Sequence, residues 1–516
     1  MKRYQKANEG IHAREEMKER AARPAGRPAR APWMGAVAAM LAVAILGGVA
    51  LWPKQPNATN PMLLEGPSSP PGRGLDPILT PLPTGRANTL AAADYPETVP
   101  YPKMEDFTSR TGEVDWDRYD AAQRSWQANR EELRSGMDYF GLLDEFLYAS
   151  TTQFLTDAGT ENRIYSPLNV YIALSMLAET TGGSSREQLL DLLGADSVEG
   201  LRTLVSTLWK DNYRDDGLVT SLLANSLWLR DGMTYSQDTL DRLARDYYAS
   251  SFSGEMGTEE YNQALRNWIN EQTGGLLREQ AGGLSMSPDT VLALASTIYF
   301  KAAWEGKFPE HLTRRDIFHA PDRDVETDFM HRSMRGTYYW GRNYSAVRLS
   351  FQEGGSMWLI LPDEGADPDE LLTSGEAMRF LLNTMTDKYD SVPADSKFLR
   401  INLSMPKFDV SSDLDLIGGL KALGVTDVFD DTVSNFEPLG ASTGDPLVVS
   451  QAKHAARVKV DEEGCEAAAY TVITTAPTAI DPGSLDEVDF ILDRPFLFAI
   501  TGDSGLPLFV GTVNQP

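Results

Sequence analysis

Ser504 and His454 are the residues of this chain whose types first suggest nucleophilic catalysis. Ser504 lies in GDSGLPL, close to the GDSGGP nucleophile turn of a serine hydrolase, and His454 lies 50 residues earlier in AKHAAR. Such a pair needs a third catalytic group and a complete substrate pocket. Leu506 breaks the motif, and only 11 residues follow Gly505, too few to finish a pocket. We therefore interpret the segment as a turn between two strands.

Metal and redox chemistry are also poorly supported by the residue types. The chain has one cysteine, Cys465, which excludes an intrachain disulfide and a cysteine metal cage. The histidines are scattered, and none has the HExxH spacing of a zinc hydrolase. We expect no metal, no other cofactor and no enzymatic activity. The histidines are His12, His311, His319, His331 and His454.

The charge of the chain is unevenly distributed. The 516 residues have a net charge of −27 and are 42% hydrophobic, a globular composition with room for one large domain or two to three small ones. Residues 1–32 carry nine Lys or Arg and four Glu, which leaves the remainder of the chain at −32. A chain this acidic is repelled by phosphate, so we exclude a nucleic-acid partner.

Residues 33–52, WMGAVAAMLAVAILGGVALW, form an uncharged stretch with tryptophan at both ends. About 20 helical residues span the ~30 Å hydrocarbon layer, and the positive flank predicts that residues 1–32 are a cytoplasmic tail. We expect a single-pass signal-anchor in the cell membrane, with the C-terminal domain outside. The alternative is a signal peptide cleaved near Gly48-Val49-Ala50, which would give a secreted protein. The lack of paired cysteines favours a bacterial cell surface.

Residues 53–136 are predicted to be an extracellular linker. Residues 53–102 hold 12 of the 30 prolines, a composition typical of an extended, solvated spacer. The charged stretch 114–133 has the composition of a helix within that linker. The folded domain is expected to cover residues 137–516, starting where apolar residues begin to recur at helical spacing.

Helical patterns crowd the first half of this domain and strand patterns crowd the second. Ser166 as N-cap, Pro167 at the first helical position and the pair Gly182-Gly183 predict a helix over 166–183. YNQALRNWINEQTGG repeats that pattern, and SSDLDLIGGLKALG, residues 411–424, is predicted as a helix between strands. TVLALASTIYFKAAW, SMWLILP, LRINLSMPKFDV, RPFLFAITG and LPLFVGTVN are predicted strands. The irregular order indicates an α+β fold with mixed or antiparallel sheets.

Nine blocks, in order over about residues 137–516, resemble the serpins. NRIYSPLNVYIALSMLAETTGG is similar to the family's helix beneath the main sheet, LLANSLWLR to its ANxL strand and RNWINEQTGGLL to its NxWVxxxTxGxI helix. STIYFKAAWEGKF is similar to NAIYFKGxWExxF. MPKFDV, GLKALGVTDVF and VSQAKHAARVKVDEEGCEAAAY resemble the segments that lead into the hinge, and RPFLFAI and LFVGTVNQP resemble the closing strands.

The resemblance implies three β-sheets, about nine helices and an exposed reactive-centre loop at about 462–490. It also implies suicide inhibition of serine proteases, in which the protease cuts a bait bond and forms an acyl-enzyme. The cut loop then inserts into the main sheet and traps the protease. The partner would be an extracellular serine protease, and we expect the inhibitor to be a monomer. The alternative is a non-inhibitory serpin-fold protein with a binding or structural role at the cell surface.

The stretch DEEGCEAAAYTVITTAPTAI suits such a loop. A strand turns every second side chain to the core, and an inserting strand needs small ones there, because overpacking costs ~1–3 kcal/mol per site. With Cys465 facing inward, the inward set is uncharged and small except for Ile473, whereas Glu466 and Tyr470 face outward. Gly464 supplies a flexible hinge. The predicted hinge consists of Glu462, Glu463, Gly464, Cys465, Glu466, Ala467, Ala468 and Ala469.

The family's usual spacing from Gly464 puts the bait bond between Thr478 and Ala479. The bonds Thr475–Ala476 and Ala479–Ile480 are the nearest alternatives. The small residues around these bonds suit elastase-like or subtilisin-like proteases. A trypsin-like target is disfavoured because residues 461–492 contain no Arg or Lys.

The resemblance also implies a polar cluster that controls opening of the main sheet. Its members would be Ser166, Asn169, Ser296 and His454, with Trp304 where the loop begins. The family usually has Ser at Asn169 and Asn at Ser296, so the cluster is altered in this chain. From the residue types alone, an ordinary helix cap, a strand serine, a surface histidine and a core tryptophan remain alternatives.

Overall fold

The described part of the chain forms one compact unit. The computed structural model describes residues 87–134, 139, 141–385, 394–440, 447–465 and 485–516, all of which lie within the unit 81–516. No helix in these ranges is long and apolar enough to cross a membrane. The expected tail 1–32, the expected span 33–52 and the loop residues 466–484 lie outside them.

The strands alternate with helices irregularly, as the α+β prediction requires, and that fold class is confirmed. The strands are β1 Asn88–Ala91, β2 Arg163–Tyr165, β3 Arg214–Asp215, β4 Val219–Arg230, β5 Ala249–Gly254, β6 Leu292–Ala303, β7 Arg314–His319, β8 Asp324–Trp340, β9 Tyr344–Ser350, β10 Ser356–Pro362, β11 Asp395–Pro406, β12 Phe408–Asp415, β13 Lys453–Val460, β14 Gly464–Cys465, β15 Glu487–Ile491, β16 Phe496–Thr501 and β17 Pro507–Val513. The α-helices are α1 Trp116–Leu133, α2 Asp144–Leu155, α3 Pro167–Thr180, α4 Gly183–Leu193, α5 Val198–Asn212, α6 Gln237–Asp246, α7 Glu259–Gln272, α8 Arg278–Gly282, α9 Pro368–Thr373, α10 Glu376–Met385 and α11 Ile417–Ala422.

The described strands form two hydrogen-bonded sheets, where three sheets were expected. The main sheet has the order β1-β5-β4-β6-β14-β13-β12, and the second has the order β15-β11-β8-β9-β10-β16-β17-β2. The 17-residue β8 is the reason for the lower number. It pairs with β7 and β11 along one part and with β9 at its end, so it links strands that would otherwise form separate sheets. The eleven α-helices in the described ranges exceed the expected nine.

Helices cover both faces of the main sheet. Every residue of α3 except Ala173 is buried, as expected for a helix that is apolar all round. The opposite face of the sheet is covered by α7, whose Leu265, Trp268 and Ile269 pack with Trp228 of β4. The main sheet is therefore enclosed between a central helix and an amphipathic one.

The expected linker over residues 53–136 is wrong for its last part, because the fold begins at β1. Strand β1 pairs antiparallel with β5 as the edge of the main sheet. In α1, Trp126 is buried, and its Nε1 donates a 2.9 Å hydrogen bond to the Asp216 carboxylate. Arg130 of α1 pairs with Asp503 at 2.5 Å. Because the segment has a low apolar content, its sequence did not indicate that Trp126 is buried or that Trp126 and Arg130 make polar contacts with the domain.

The predicted helix over 411–424 is also wrong in its first part. Strand β12 continues to Asp415 and pairs with β13 along its full length, so only α11 is helical. Val410 and Ser412 are buried, whereas Asp409, Ser411 and Asp413 are exposed. This alternation fits a strand with one buried face.

Candidate functional site

Two residues of the predicted hinge already form a strand of the main sheet. In β14, Gly464 lies opposite Ala303 of β6, and Cys465 lies opposite both Ala302 of β6 and Val460 of β13. A Cβ atom at position 464 would stand 2.8 Å from Ala303 Cα and still closer to the Ala302 carbonyl oxygen. Gly464 is therefore required by close backbone approach, in addition to the flexibility predicted from sequence. The Cys465 side chain is buried in the main core, the inward position that the alternation predicts.

The acidic pair before Gly464 is anchored to neighbouring elements. The Glu462 carboxylate accepts a 2.7 Å hydrogen bond from Thr313 and pairs with Lys407 Nζ at 2.7 Å. Burial raises the pKa of Glu462, but hydrogen bonds from Lys407 and Thr313 outweigh it, so the pKa lies below its usual range. Glu463 pairs with Lys307. These contacts anchor Glu462 and Glu463, and we call the two residues the base of the hinge.

Trp304 connects this base to the core. Its backbone N–H donates to Glu463 O and its indole Nε1 donates to Asp461 O, both at 2.9 Å. The ring is fully buried and stacks on Phe351 with ring centroids 4.7 Å apart. The structure therefore places Trp304 at the base of the hinge rather than in the polar cluster under the sheet.

The other four predicted cluster residues do come together beneath β6 and β13. The Asn169 side-chain amide donates to Ser296 O at 3.0 Å, and Ser296 Oγ also bonds Asn169 Oδ1. Ser296 Oγ also lies 2.6 Å from Oδ1 of Asn225 in β4, so the two asparagine oxygens share the one hydroxyl hydrogen of Ser296. Sequence reasoning missed Asn225, although it lies in the ANxL-like strand. With Ser at 296 and Asn at 169, the Asn169 side chain connects α3 to β6.

His454 joins α3 to β13 at the same place. Its Nε2 accepts a 3.0 Å hydrogen bond from the backbone N–H of Ser166. The predicted N-cap role of Ser166 is wrong in one respect: the residue holds the N-cap position, but its side chain makes no capping hydrogen bond. Complete burial lowers the pKa of His454 to about 4, so the imidazole is neutral at pH 7. A neutral ring is required for Nε2 to act as an acceptor.

Below β14, two strands of the main sheet have open edges. Within the described residues, β6 from Leu292 to Lys301 pairs only with β4, and β13 from Lys453 to Lys459 pairs only with β12. A cavity of about 80 Å³ lies between them under α7 and α8, lined by small strand residues such as Ala295 and Ala455. In the described part of the chain, the sheet thus has two facing strand edges below β14 without a strand between them.

Several of the predicted site residues lie outside the described part of the chain. Thr478, Ala479 and the hinge residues 466–469 lie outside them. The predicted loop over 462–490 is too long at both ends, because Glu462–Cys465 is held at the sheet and β15 pairs parallel with β11 from Glu487 onward.

Ser504 is not part of a catalytic arrangement. It lies in the turn between β16 and β17, where its Oγ donates a 2.6 Å hydrogen bond to Asn212 and accepts one from Leu506 N–H. His454 is engaged with Ser166 instead. Among the residues that the structure describes, no group of three or more His, Cys, Asp or Glu could hold a metal ion.

Comparison with known proteins shows which family this chain belongs to. The sequence model of the Serpin family, described as serine protease inhibitor, matches residues 143–516. The chain belongs to the serpin family. This serpin is 29% identical to Serpin-Z2A of Triticum aestivum over 385 residues, which cover 72% of this chain and 94% of the wheat protein. It is 31% identical to Serpin-ZXA of Oryza sativa subsp. japonica over 372 residues, covering 69% and 90% of the two chains.

Solved structures agree with this assignment. The native state of the thermophilic serpin Tengpin has a TM-score of 0.65 to this serpin at 25% identity, covering 74% of this chain and 96% of Tengpin. The expected serpin fold is therefore confirmed, and the family's description as serine protease inhibitor fits the expectation of an inhibitor.

Proposed function

We propose that this serpin inhibits serine proteases by inserting its cleaved loop into the main sheet. The observation that carries the proposal is the position of β14. Gly464 and Cys465 of the hinge lie between β6 and β13, and beyond them both strands have open edges among the described residues. A strand that continued β14 would satisfy the backbone hydrogen-bonding groups of both edges.

The register of β14 supports insertion of the predicted inward face. Continuing the pairing of Cys465 with Ala302 and Val460 would bring Thr471 between Ser296 and His454. Both registers therefore converge on the polar cluster at the same loop residue. The other inward residues would lie beside buried positions of the two strands. Ala467 would lie beside Phe300 and Val458, and Ala469 beside Ile298 and Ala456.

The first residue of the outward face, Glu466, would meet side chains of opposite charge. The same register would bring Glu466 between Lys301 of β6 and Lys459 of β13. One carboxylate between two lysines on the outer face would favour the inserted state, by about 1 kcal/mol for exposed pairs. Tyr470 would lie beside Thr297 and Ala455, which line the cavity under α7.

The target proteases in this proposal are elastase-like or subtilisin-like. The loop around Thr478 and Ala479 offers only small residues, which shallow apolar pockets accept, and it offers no Arg or Lys to a trypsin-like pocket. The reactive species would be the protease serine, whose acyl bond to Thr478 survives because insertion distorts the protease.

The test is a denaturing gel of the full chain mixed with pancreatic elastase or subtilisin. An adduct at the summed mass and a loss of protease activity are expected. Thr471→Arg should abolish the adduct and leave a cleaved substrate, because a charge would have to enter the core, whereas Thr471→Ala should still form it. Clean cleavage of the unmodified chain with full protease activity would instead favour a non-inhibitory binding or structural role.

We also propose that residues 33–52 tether this serpin as a monomer to the outer face of a cell membrane. The support is the uncharged stretch between a basic tail and a proline-rich segment. Expression of the full chain in a bacterium and fractionation tests the proposal. We expect the folded domain to be in the membrane fraction and to be accessible to added protease. Release of a shortened chain to the medium would show cleavage instead.

A further inference from the structure

Strands β8 and β9 form a fork on the surface of the second sheet. They pair at Tyr338–Val347 and then separate, since β8 continues beside β11 while β9 pairs with β10. On the side of β8 that faces β9, β7 pairs only up to Phe329. The part of β8 between these two partners therefore borders an opening. A cavity of about 420 Å³ occupies it.

Three arginines line this cavity in a strongly acidic protein. They are Arg332 and Arg335 of β8 and Arg348 of β9, and Thr337 and Ser350 add hydroxyl groups. The acidic residue of the lining is Glu305. Since the whole chain carries −27, a local excess of positive charge runs against its overall balance. Three guanidinium groups around one concave surface are suited to bind an anion.

Arg332 and Arg348 are held by contacts other than ion pairs, and Arg335 and Arg348 are exposed to solvent. Arg332 donates to Gly306 O and lies over the Phe308 ring at 5.2 Å, and Arg348 lies over Trp358 at 5.8 Å. Within the described residues, none of the three forms an ion pair with a carboxylate. Burial lowers the pKa of Arg332, although Glu305 partly opposes this. Arg332 is the half-buried member of the three, and because burial of a guanidinium without an ion pair is costly, a bound anion would offset that cost at Arg332.

We propose that the fork between β8 and β9 binds a small organic phosphate or sulfate. Guanidinium groups bind the tetrahedral oxyanion through paired N–H donors, and the two hydroxyl groups extend the donor set. The cavity is larger than one inorganic ion requires. Phe398, with 57% of its surface exposed, and Tyr339 lie at the same cavity and offer apolar contact to the organic part.

The position of the fork links it to the hinge without assuming inhibition. Glu305 and Gly306 line the cavity and directly follow Trp304, which holds Asp461 and Glu463 by hydrogen bonds. Lys307, the next residue, pairs with Glu463. An anion in the fork would therefore contact the segment that fixes the base of the hinge. We expect slower amide exchange at Trp304 and Phe308 when the site is filled.

The test uses isothermal titration calorimetry on the full chain, with inorganic phosphate and phenyl phosphate as probes and chloride at matched ionic strength as background. Saturable binding is expected, with phenyl phosphate binding more tightly. The double variant Arg335→Gln/Arg348→Gln should weaken binding of both probes at least about tenfold, because hydrogen bonds to charged groups are strong. Arg332 is left intact because it packs against Phe308.

Two matched variants make the result specific. Arg315→Gln/Arg400→Gln removes two exposed arginines that pair with carboxylates elsewhere, and it should leave binding unchanged. Phe398→Ala should reduce the advantage of phenyl phosphate over inorganic phosphate and leave phosphate binding intact. Equal binding by the unmodified chain and the Arg335→Gln/Arg348→Gln variant, or no saturable binding, would overturn the site. Equal affinity for the two probes would overturn the organic part of the ligand.

Discussion

His454 Nε2 and the Ser166 backbone N–H form a 3.0 Å hydrogen bond that fixes the start of α3 to β13. The bond lies beneath the strand edge where Thr471 is proposed to insert. It depends on a neutral imidazole, because a protonated ring has no acceptor. Protonation of His454 would therefore break this contact between α3 and β13.

Stability should fall as the pH drops from about 6.5 towards 4. The folded-state pKa of His454 is about 4, below the unfolded value of 6.5, so the unfolded state takes up the proton first. The stabilising contribution is complete above pH 6.5, and about 2 kcal/mol of it is lost by pH 5. Urea unfolding between pH 5 and 8 measures the loss. His454→Gln should flatten this slope, and an unchanged slope would contradict the assignment.

Gly464→Ala should distort the hinge, because the added Cβ would overlap the Ala302 carbonyl and crowd Ala303. The expected cost is about 1–3 kcal/mol in free energy of unfolding, the usual range for overpacking. Urea unfolding at pH 7.5 measures it. Gly418→Ala is the matched control, since nothing lies within 4 Å of its added Cβ. Equal stabilities for the two variants would show that β14 does not approach β6 this closely.

Tyr470→Ala should raise the fraction of molecules that trap a protease. If insertion proceeds in the proposed register, a tyrosine must enter the outer cavity of about 80 Å³, so α7 must shift first. Tyr470→Phe retains the bulk and should behave like the unmodified chain. The ratio of adduct to cleaved inhibitor on a denaturing gel gives the answer. A lower adduct fraction for Tyr470→Ala would place this side chain elsewhere.

Thr478→Arg should redirect the bait to trypsin-like proteases. Their pockets require Arg or Lys at the cut, and the loop has neither. A trypsin adduct is expected to appear while the elastase adduct declines. Thr478→Val should retain elastase binding without trypsin binding. Mass spectrometry of the released C-terminal fragment identifies the bond, and cleavage after residue 475 or 479 would move the bait to one of the alternatives.

Trp126→Ala should destabilise the domain, although Trp126 lies in the segment predicted to be a linker. The side chain is 3% exposed, and its loss removes a large apolar contact together with the Asp216 hydrogen bond. The expected cost is about 3 kcal/mol, at the low end for truncating a buried aromatic residue. Trp116→Ala, at a side chain that is 56% exposed, should cost little. Thermal unfolding of both variants compares them, and similar midpoints would remove α1 from the stable core.

The sequence by itself determined the fold class and the family, and it placed Gly464 and Cys465 at the start of the predicted hinge. Family motifs are local, so the helix from Pro167 and the strand before Ala303 could be found from residue order. The alternation of small residues after Cys465 follows from the two-residue period of a strand. These features depend on residues that are close together in the chain, so the sequence alone reveals them.

The tertiary structure alone decided which distant residues meet. Asn225 joins Ser296 in the cluster, and Trp126 anchors a segment whose composition is that of a linker. The extent of β12 was set by its pairing with β13, which overrode local helix preference. The fork with three arginines arises where two strands change partners. Each of these depends on contacts between elements far apart in the chain, and no local spacing encodes them.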